Sequence, residues 1–180
     1  MSFSLLVSQF TLRLDYDTLC AYRNRSNWSN TAMSVISLRQ RAFLDQARVG
    51  RLATADAAGK PHVIPVCYAC DGSSFYIALD AKPKRVPPER LKRVRNILAN
   101  PRVALVVDHY AEDWNELAYL LINGRAELLS PGSAEHEQAI ALLRARYPQY
   151  IAMPIHEQPV IAIRAESLVE WWAAPSAPDP

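Results

Sequence analysis

The sequence predicts a predominantly β domain of the α+β kind, a small barrel with helices at its flanks. Three observations carry this. Short runs rich in β-branched and aromatic residues recur along the chain, as in "RVGRLATAD", "KPHVIPVCYA", "SSFYIALD" and "RVALVVDHY". Turn signals separate them, at Ala57-Ala58-Gly59, Asp71-Gly72 and Asn123-Gly124. Helical patterns are few and stand between strand runs, and no internal repeat is present. With 180 residues, half of them apolar and 21% charged, the chain suits one well-buried domain.

Residues 1–36 are Asn- and Ser-rich, without a clear period, and read as a poorly ordered extension, with Met33 a candidate natural start. The barrel domain is expected over 37–173, followed by a Pro-rich tail over 174–180. In "SLRQRAFLDQA" a Ser cap precedes Leu38, Ala42, Phe43 and Leu44 at near-helical spacing. The next three strands, joined by short turns, are expected to form an antiparallel meander. Pro87 and Pro88 suit a helix start and Asn100-Pro101 a stop. Between them Leu91, Val94, Ile97 and Leu98 form an apolar stripe, with Lys92, Arg93, Arg95 and Asn96 around the other side. "RVALVVDHY" reads as a buried strand and "LAYLLINGRAELL" as a strand pair bent at Asn123-Gly124. "SAEHEQAIALLRARY" is an amphipathic helix with acids in its first turn and Arg in its last, which complements its dipole. "PVIAIRAESLVEWWA" gives the final strand.

Charge is concentrated. "KPKRVPPERLKRVRN", Lys82 to Asn96, holds seven Lys and Arg and one acid, so it carries +6 of a net +2 and leaves −4 for the rest of the chain. A nucleic-acid-binding surface spreads its basic charge along a face; one cationic spot on a mildly acidic body fits a compact anion, or a merely solvated helix face. Cys20, Cys67 and Cys70 make a disulfide framework unexpected. "CYAC" has redox-motif spacing, but on a strand residues three apart point to opposite faces, so the thiols diverge. No apolar run approaches the ~20 residues that span a bilayer, and no signal peptide is recognisable, so a cytoplasmic protein is expected.

The run "VGRLATADAAGKPHVIPVCYACDGSSFYIALD", the basic helix ending "RNILANPRVALVVDHY" and "EDWNELAYLLINGRAELL" together resemble the pyridoxamine 5'-phosphate oxidase-like split β-barrel superfamily. Within it the likeness is to the F420-dependent oxidoreductase branch, and it covers about Leu38 to Trp172. The resemblance implies a six- to seven-stranded antiparallel split β-barrel (the FMN-binding split barrel) and a homodimer with a flavin-like cofactor in a groove at the interface. The cofactor phosphate would be held by Lys92 and Arg93, which precede Arg95-Asn96, with Asn96 itself and an upstream cluster of Lys82, Lys84 and Arg85. "PHVIPV" would lie along the ring system, making His62, Ile64 and Pro65 its neighbours. Strand alternation puts His62, Ile64 and Val66 on one face and Val63, Pro65 and Cys67 on the other, and which face meets the cofactor stays open.

The implied reaction is hydride transfer between coenzyme F420 and a small unsaturated or planar acceptor. Two basic clusters suit the long anion of F420, a phosphodiester with a glutamate tail. The alternatives are an FMN-dependent enzyme of the oxidase type, or a non-catalytic binder of flavin or haem. The partners expected are a small-molecule substrate and a second copy of the chain, with no nucleic acid, membrane or metal. No acid or base stands at a fixed motif position. His62, His109 and Tyr110 are candidate proton donors, although "DHY" also reads as a plain strand end. Trp114 would stand over the groove or in the dimer core; Trp171 and Trp172 read as packing residues.

Overall fold

The computed structural model describes residues 36–79 and 87–173. All belong to one unit, Ala32–Pro180. Residues 1–35 of the N-terminal extension, the Lys82/Lys84/Arg85 cluster and the Pro-rich tail lie outside the described residues; Ile36, the last residue assigned to the extension, is buried in the core.

Ser37 caps helix α1 (Leu38–Gln46) in a reciprocal box with Gln40, which satisfies two of the amides a helix start leaves over. Only Leu44 of this helix is buried, Phe43 is half-buried, and Leu38 is 91% exposed. The expected Leu38–Ala42–Leu44 stripe is corrected to the Phe43–Leu44 edge. Far along the chain, Arg146 closes the helix's other end: its Nη2 donates to Leu44 O at 2.6 Å and to Ala47 O, while its guanidinium lies over the Tyr68 ring.

Strands β1 (Gly50–Ala55) and β2 (Pro61–Val66) form a hairpin whose turn is organised by Asp56; its carboxylate accepts from the amides of Ala58 and Lys60, and Gly59 supplies the positive φ of 81°. The chain then leaves the strand at Cys67-Tyr68. It forms the two-residue β3 (Ala69–Cys70), turns at Asp71–Ser73, and returns as β4 (Ser74–Ala78). Helix α2 (Lys92–Ala99), β5 (Arg102–His109), β6 (Ala118–Leu129), helix α3 (Ala134–Arg146) and β7 (Val160–Trp172) complete the order.

The seven strands make one antiparallel sheet in the order β2-β1-β5-β6-β7-β4-β3, a curled half-barrel with flanking helices. The predicted split-barrel class is therefore observed, but two local expectations are corrected. The first three strands do not form a meander, because β4 pairs with β7 and stands at the far side of the sheet from β2. And β6 runs unbroken through Asn123-Gly124; the irregularity belongs to β7, where Asn123 faces Ser167 and Gly124 faces Ala165, leaving Glu166 as an extra residue. Gly124 is required there, since a Cβ would stand 2.2 Å from Arg164 O.

The inner face of the curl holds Leu52, Leu105, Leu120, Ile122, Ile161 and Ile163, closed by Leu44 of α1 and by Val94 and Ile97 of α2. Each such side chain contributes about 1.5–3 kcal/mol on full burial. Among the described residues the outer face is only partly covered. Ala139, Ile140 and Leu143 of α3 pack on Tyr76, Ala78, Val160 and Ala162, so the first residues of β7 are buried on both faces. Cys67 packs against this second cluster and Cys70 against the first, so the two thiols diverge as expected, although the strand is interrupted at Cys67-Tyr68 and the divergence follows from that break rather than from alternation along one strand. Burial pushes the Cys70 thiol up.

Candidate cofactor site

The basic stretch enters the described chain at Pro87, makes a 3-10 turn over Pro88–Arg90, and becomes α2 with Leu91 as N-cap. Leu91 has no side-chain acceptor, so among the described residues no capping side chain covers the first-turn amides of α2. Val94, Asn96 and Ile97 are the buried residues of this helix, while Leu98 is 69% exposed. This corrects the expected helix faces: Asn96 exchanges places with Leu98. The physical reason is a partner on β1. Asn96 Nδ2 donates to Thr54 Oγ1 at 2.9 Å, both side chains being buried, and the Thr54 hydroxyl donates on to His62 O at 3.4 Å.

Lys92 stands half-exposed one turn earlier, its Nζ 2.9 Å from Asp56 Oδ2 in the β1–β2 turn. That ammonium, followed by the Lys60 amide, holds the Asp56 carboxyl below the usual carboxylate range. Arg93 is half-buried, and Arg90 and Arg95 are exposed. Asp56 and Thr54 were not expected at the site. Asp56 carries a turn signal in the sequence, but nothing local ties either residue to a helix some forty positions on.

On β2, Val66 is buried and Ile64 packs against the inner core, so His62, Ile64 and Val66 face inward; Val63 and Pro65 are exposed on the outer face. The sequence-predicted neighbours His62 and Pro65 therefore stand on opposite faces. Among the described residues β2 pairs only with β1, which leaves its other edge open beside the α2 end of the sheet.

The uncovered outer face continues across the sheet through register partners. Pro65 faces Arg51, Arg51 faces Val106, Val106 faces Leu121 and Leu121 faces Val169. Arg51 pairs with Asp108, and Trp171 stacks on Tyr119 with ring centroids 5.9 Å apart. Beyond it, in the β5–β6 connection, Tyr110 is 66% and Trp114 71% exposed. Trp172 points the other way, edge-on to Phe43 and under Arg39. There a cleft of about 490 Å³ opens between α1 and the β5–β6 connection, lined by Arg39, Phe43, His109, Asn115 and Trp172 among others. None of the site residues predicted from the sequence except the alternative donor His109 lines it.

A pattern of known sequences adds the deciding observation: the pyridoxamine 5'-phosphate oxidase profile matches residues 38–172. The chain belongs to the pyridoxamine 5'-phosphate oxidase family. Among characterised proteins, this family member is 33% identical over 94 residues to a 5a,11a-dehydrotetracycline/5a,11a-dehydrooxytetracycline reductase of Streptomyces rimosus; the match covers 52% of this chain and 63% of the relative. Among solved structures, it is similar in fold to HutZ, the heme storage protein of Vibrio cholerae (TM-score 0.61, 16% identity, 77% of this chain and 95% of the other). It is also similar to an F420 reductase (TM-score 0.54, 23% identity, 72% and 94% covered). Among the described residues no helix is long and apolar enough to cross a membrane, and no cluster of His, Cys, Asp and Glu is arranged to hold a metal.

Proposed function

We propose that this family member is an F420-dependent oxidoreductase that acts as a homodimer, with the cofactor lying between the α2 end of the sheet and the uncovered outer face. The observation that carries the reading is the half-exposed Lys92, fixed by Asp56 at the mouth of the β1–β2 hairpin with Arg93 and Arg95 on the same helix. A donor set made of cations and uncapped amides fits an anionic group. The reductase relative, whose named substrates are dehydro compounds, supports an unsaturated acceptor.

In this reading Lys92 and Arg93 hold the phosphate, with Lys82, Lys84 and Arg85 reaching the anion beyond it. Asn96 acts from below, by fixing α2 to β1 through Thr54. The β2 edge, with Ile64 and His62 on one face and Pro65 on the other, orients the ring system. Val63, Pro65, Val106 and Leu121 exclude water where a second copy covers them. Bound deazaflavin supplies the hydride. His62, His109 and Tyr110 are the chain's candidates for holding the proton that accompanies it.

The test is the absorption spectrum of protein purified from an F420-producing host, followed by fluorescence titration with F420, FMN and haemin. Tight binding of F420 with oxidation of its reduced form by unsaturated acceptors is expected. Binding of FMN alone favours the oxidase-type alternative, a Soret band favours haem binding, and a colourless protein that titrates with none of them refutes the proposal.

A further inference from the structure

The cleft between α1 and the β5–β6 connection takes no part in holding the cofactor. Its floor is one row of register partners at the end of the sheet. His109 of β5 faces Ala118 of β6, and Ala118 faces Trp172 of β7. The small Ala118 between imidazole and indole leaves the hollow. One wall is the edge of α1 that carries Arg39 and Phe43, four residues apart and so on one helix face. The other wall includes Glu116, from the 3-10 turn Trp114–Glu116. Both walls are fixed. Gln40 Nε2 donates to Glu170 Oε2 at 2.8 Å and so ties α1 to β7. Asp113 Oδ1 accepts from the backbone and side-chain N–H groups of Asn115, and Ala173 N donates to Leu117 O at 2.9 Å. A preformed hollow of about 490 Å³ has the size of a small-molecule site.

Arg39 states what the hollow is for. It stands in the first turn of α1, where the helix dipole disfavours a cation and the helix carries no acid. Its guanidinium lies over the Trp172 ring, 4.0 Å from the centroid. Stacking occupies the face of the guanidinium and leaves its in-plane N–H donors for a carboxylate. Among the described residues Arg39 makes no ion pair, and the side chains of His109 and Glu116 make neither an ion pair nor a hydrogen bond. Asp108, also on the lining, is already neutralised by Arg51. A ligand that answers all of these groups has a carboxylate for Arg39, a flat ring for Phe43 and Trp172, and an O–H or N–H donor for Glu116 or His109. We propose that the cleft is a second binding site, for aromatic carboxylates that carry a hydroxyl or amino group. It is separate from the cofactor region and independent of which cofactor binds there. Thr54 faces Val103 and Arg51 faces Val106, so the Asp56–Lys92 pair stands at the start of β5. His109 is at the far end, about 20 Å along the strand.

Calorimetric titration of the full chain with 6-hydroxy-2-naphthoate tests the site, with 2-naphthoate and 2-naphthol as probes lacking the donor or the carboxylate. The hydroxy acid is expected to bind, and 2-naphthol about tenfold or more weakly. Arg39→Glu should weaken the hydroxy acid by about tenfold or more with the fold retained, because it places an acid where a helix start favours one. Glu116→Ala should narrow the preference for the hydroxy acid over 2-naphthoate. Melting curves of both variants show that they fold. A wild type that takes up none of the probes overturns the proposal. So does a folded Arg39→Glu chain that binds the hydroxy acid as the wild type does. The Lys92→Ala/Arg93→Ala variant should bind the hydroxy acid like the wild type; a loss there as large as that of Arg39→Glu would put the acid in the cofactor region and refute a second site.

Discussion

Asn96 Nδ2 lies 2.9 Å from Thr54 Oγ1, and both residues are at most 4% exposed. This single buried polar contact joins the cationic helix to the strand beside it, and so sets where Lys92 stands relative to Asp56. Asn96→Ala should cost about 1–3 kcal/mol, since it leaves the buried Thr54 oxygen without the amide that donates to it and with only the long bond to His62 O. Urea unfolding checks the value, and a double-mutant cycle with Thr54→Val should show coupling, because the second change removes the orphaned group.

Arg164 joins β7 to α3 and β6. Its guanidinium pairs with Glu135, donates to Glu127 Oε1 at 2.8 Å and to Ser74 Oγ at 3.1 Å, and Tyr76 OH donates to Glu135 or to Asp71. The Arg164 hydrogen bonds hold the Glu135 carboxyl below its usual range against the opposing effect of burial. Burial also works against the Asp71 charge, but the amides of Ser74 and Ser73 and the Tyr76 hydroxyl outweigh it and lower that carboxyl too. A depressed folded-state pKa gives stability that is complete above the unfolded value of about 4.3 and lost as pH falls through the folded one. Glu135→Gln should therefore melt below the wild type at pH 7, with the gap closing below about pH 4. A gap that persists unchanged to pH 3 would show that the pair acts by packing alone.

Arg146 serves the end of α1. It donates to Leu44 O and Ala47 O and is covered by Tyr68 and Tyr147. Arg146→Lys keeps the charge but loses the planar fork, and a destabilisation of about 1.5–3 kcal/mol is expected by chemical denaturation.

How much of this was legible in the sequence follows the range of the signals. The Ser37 cap and Asn100-Pro101 mark helix ends locally, and the helices begin and stop there. The pairing of β4 with β7 spans some ninety residues and leaves no local trace, so a meander was the natural but wrong expectation. The same limit hid Asn96. A polar residue reads as solvent-facing until its partner is known, and Thr54 lies 42 positions away. The cationic character of the candidate site was visible as a charge run. The anchoring of Lys92 by Asp56 was not, because it needs the hairpin turn and the helix brought together. Alternation sorted β2 into two faces, but only the burial of Val66 shows which one is inward.

The central claim is that the start of α2 holds the cofactor's phosphate. Fluorescence titration of F420 into the wild type and into the Lys92→Ala/Arg93→Ala variant tests it most directly, with melting curves recorded in parallel. Loss of the charge-assisted contacts, about 1.5–3 kcal/mol, predicts affinity lower by roughly tenfold to more than a hundredfold with the fold retained. Equal affinity in the two proteins would contradict the account.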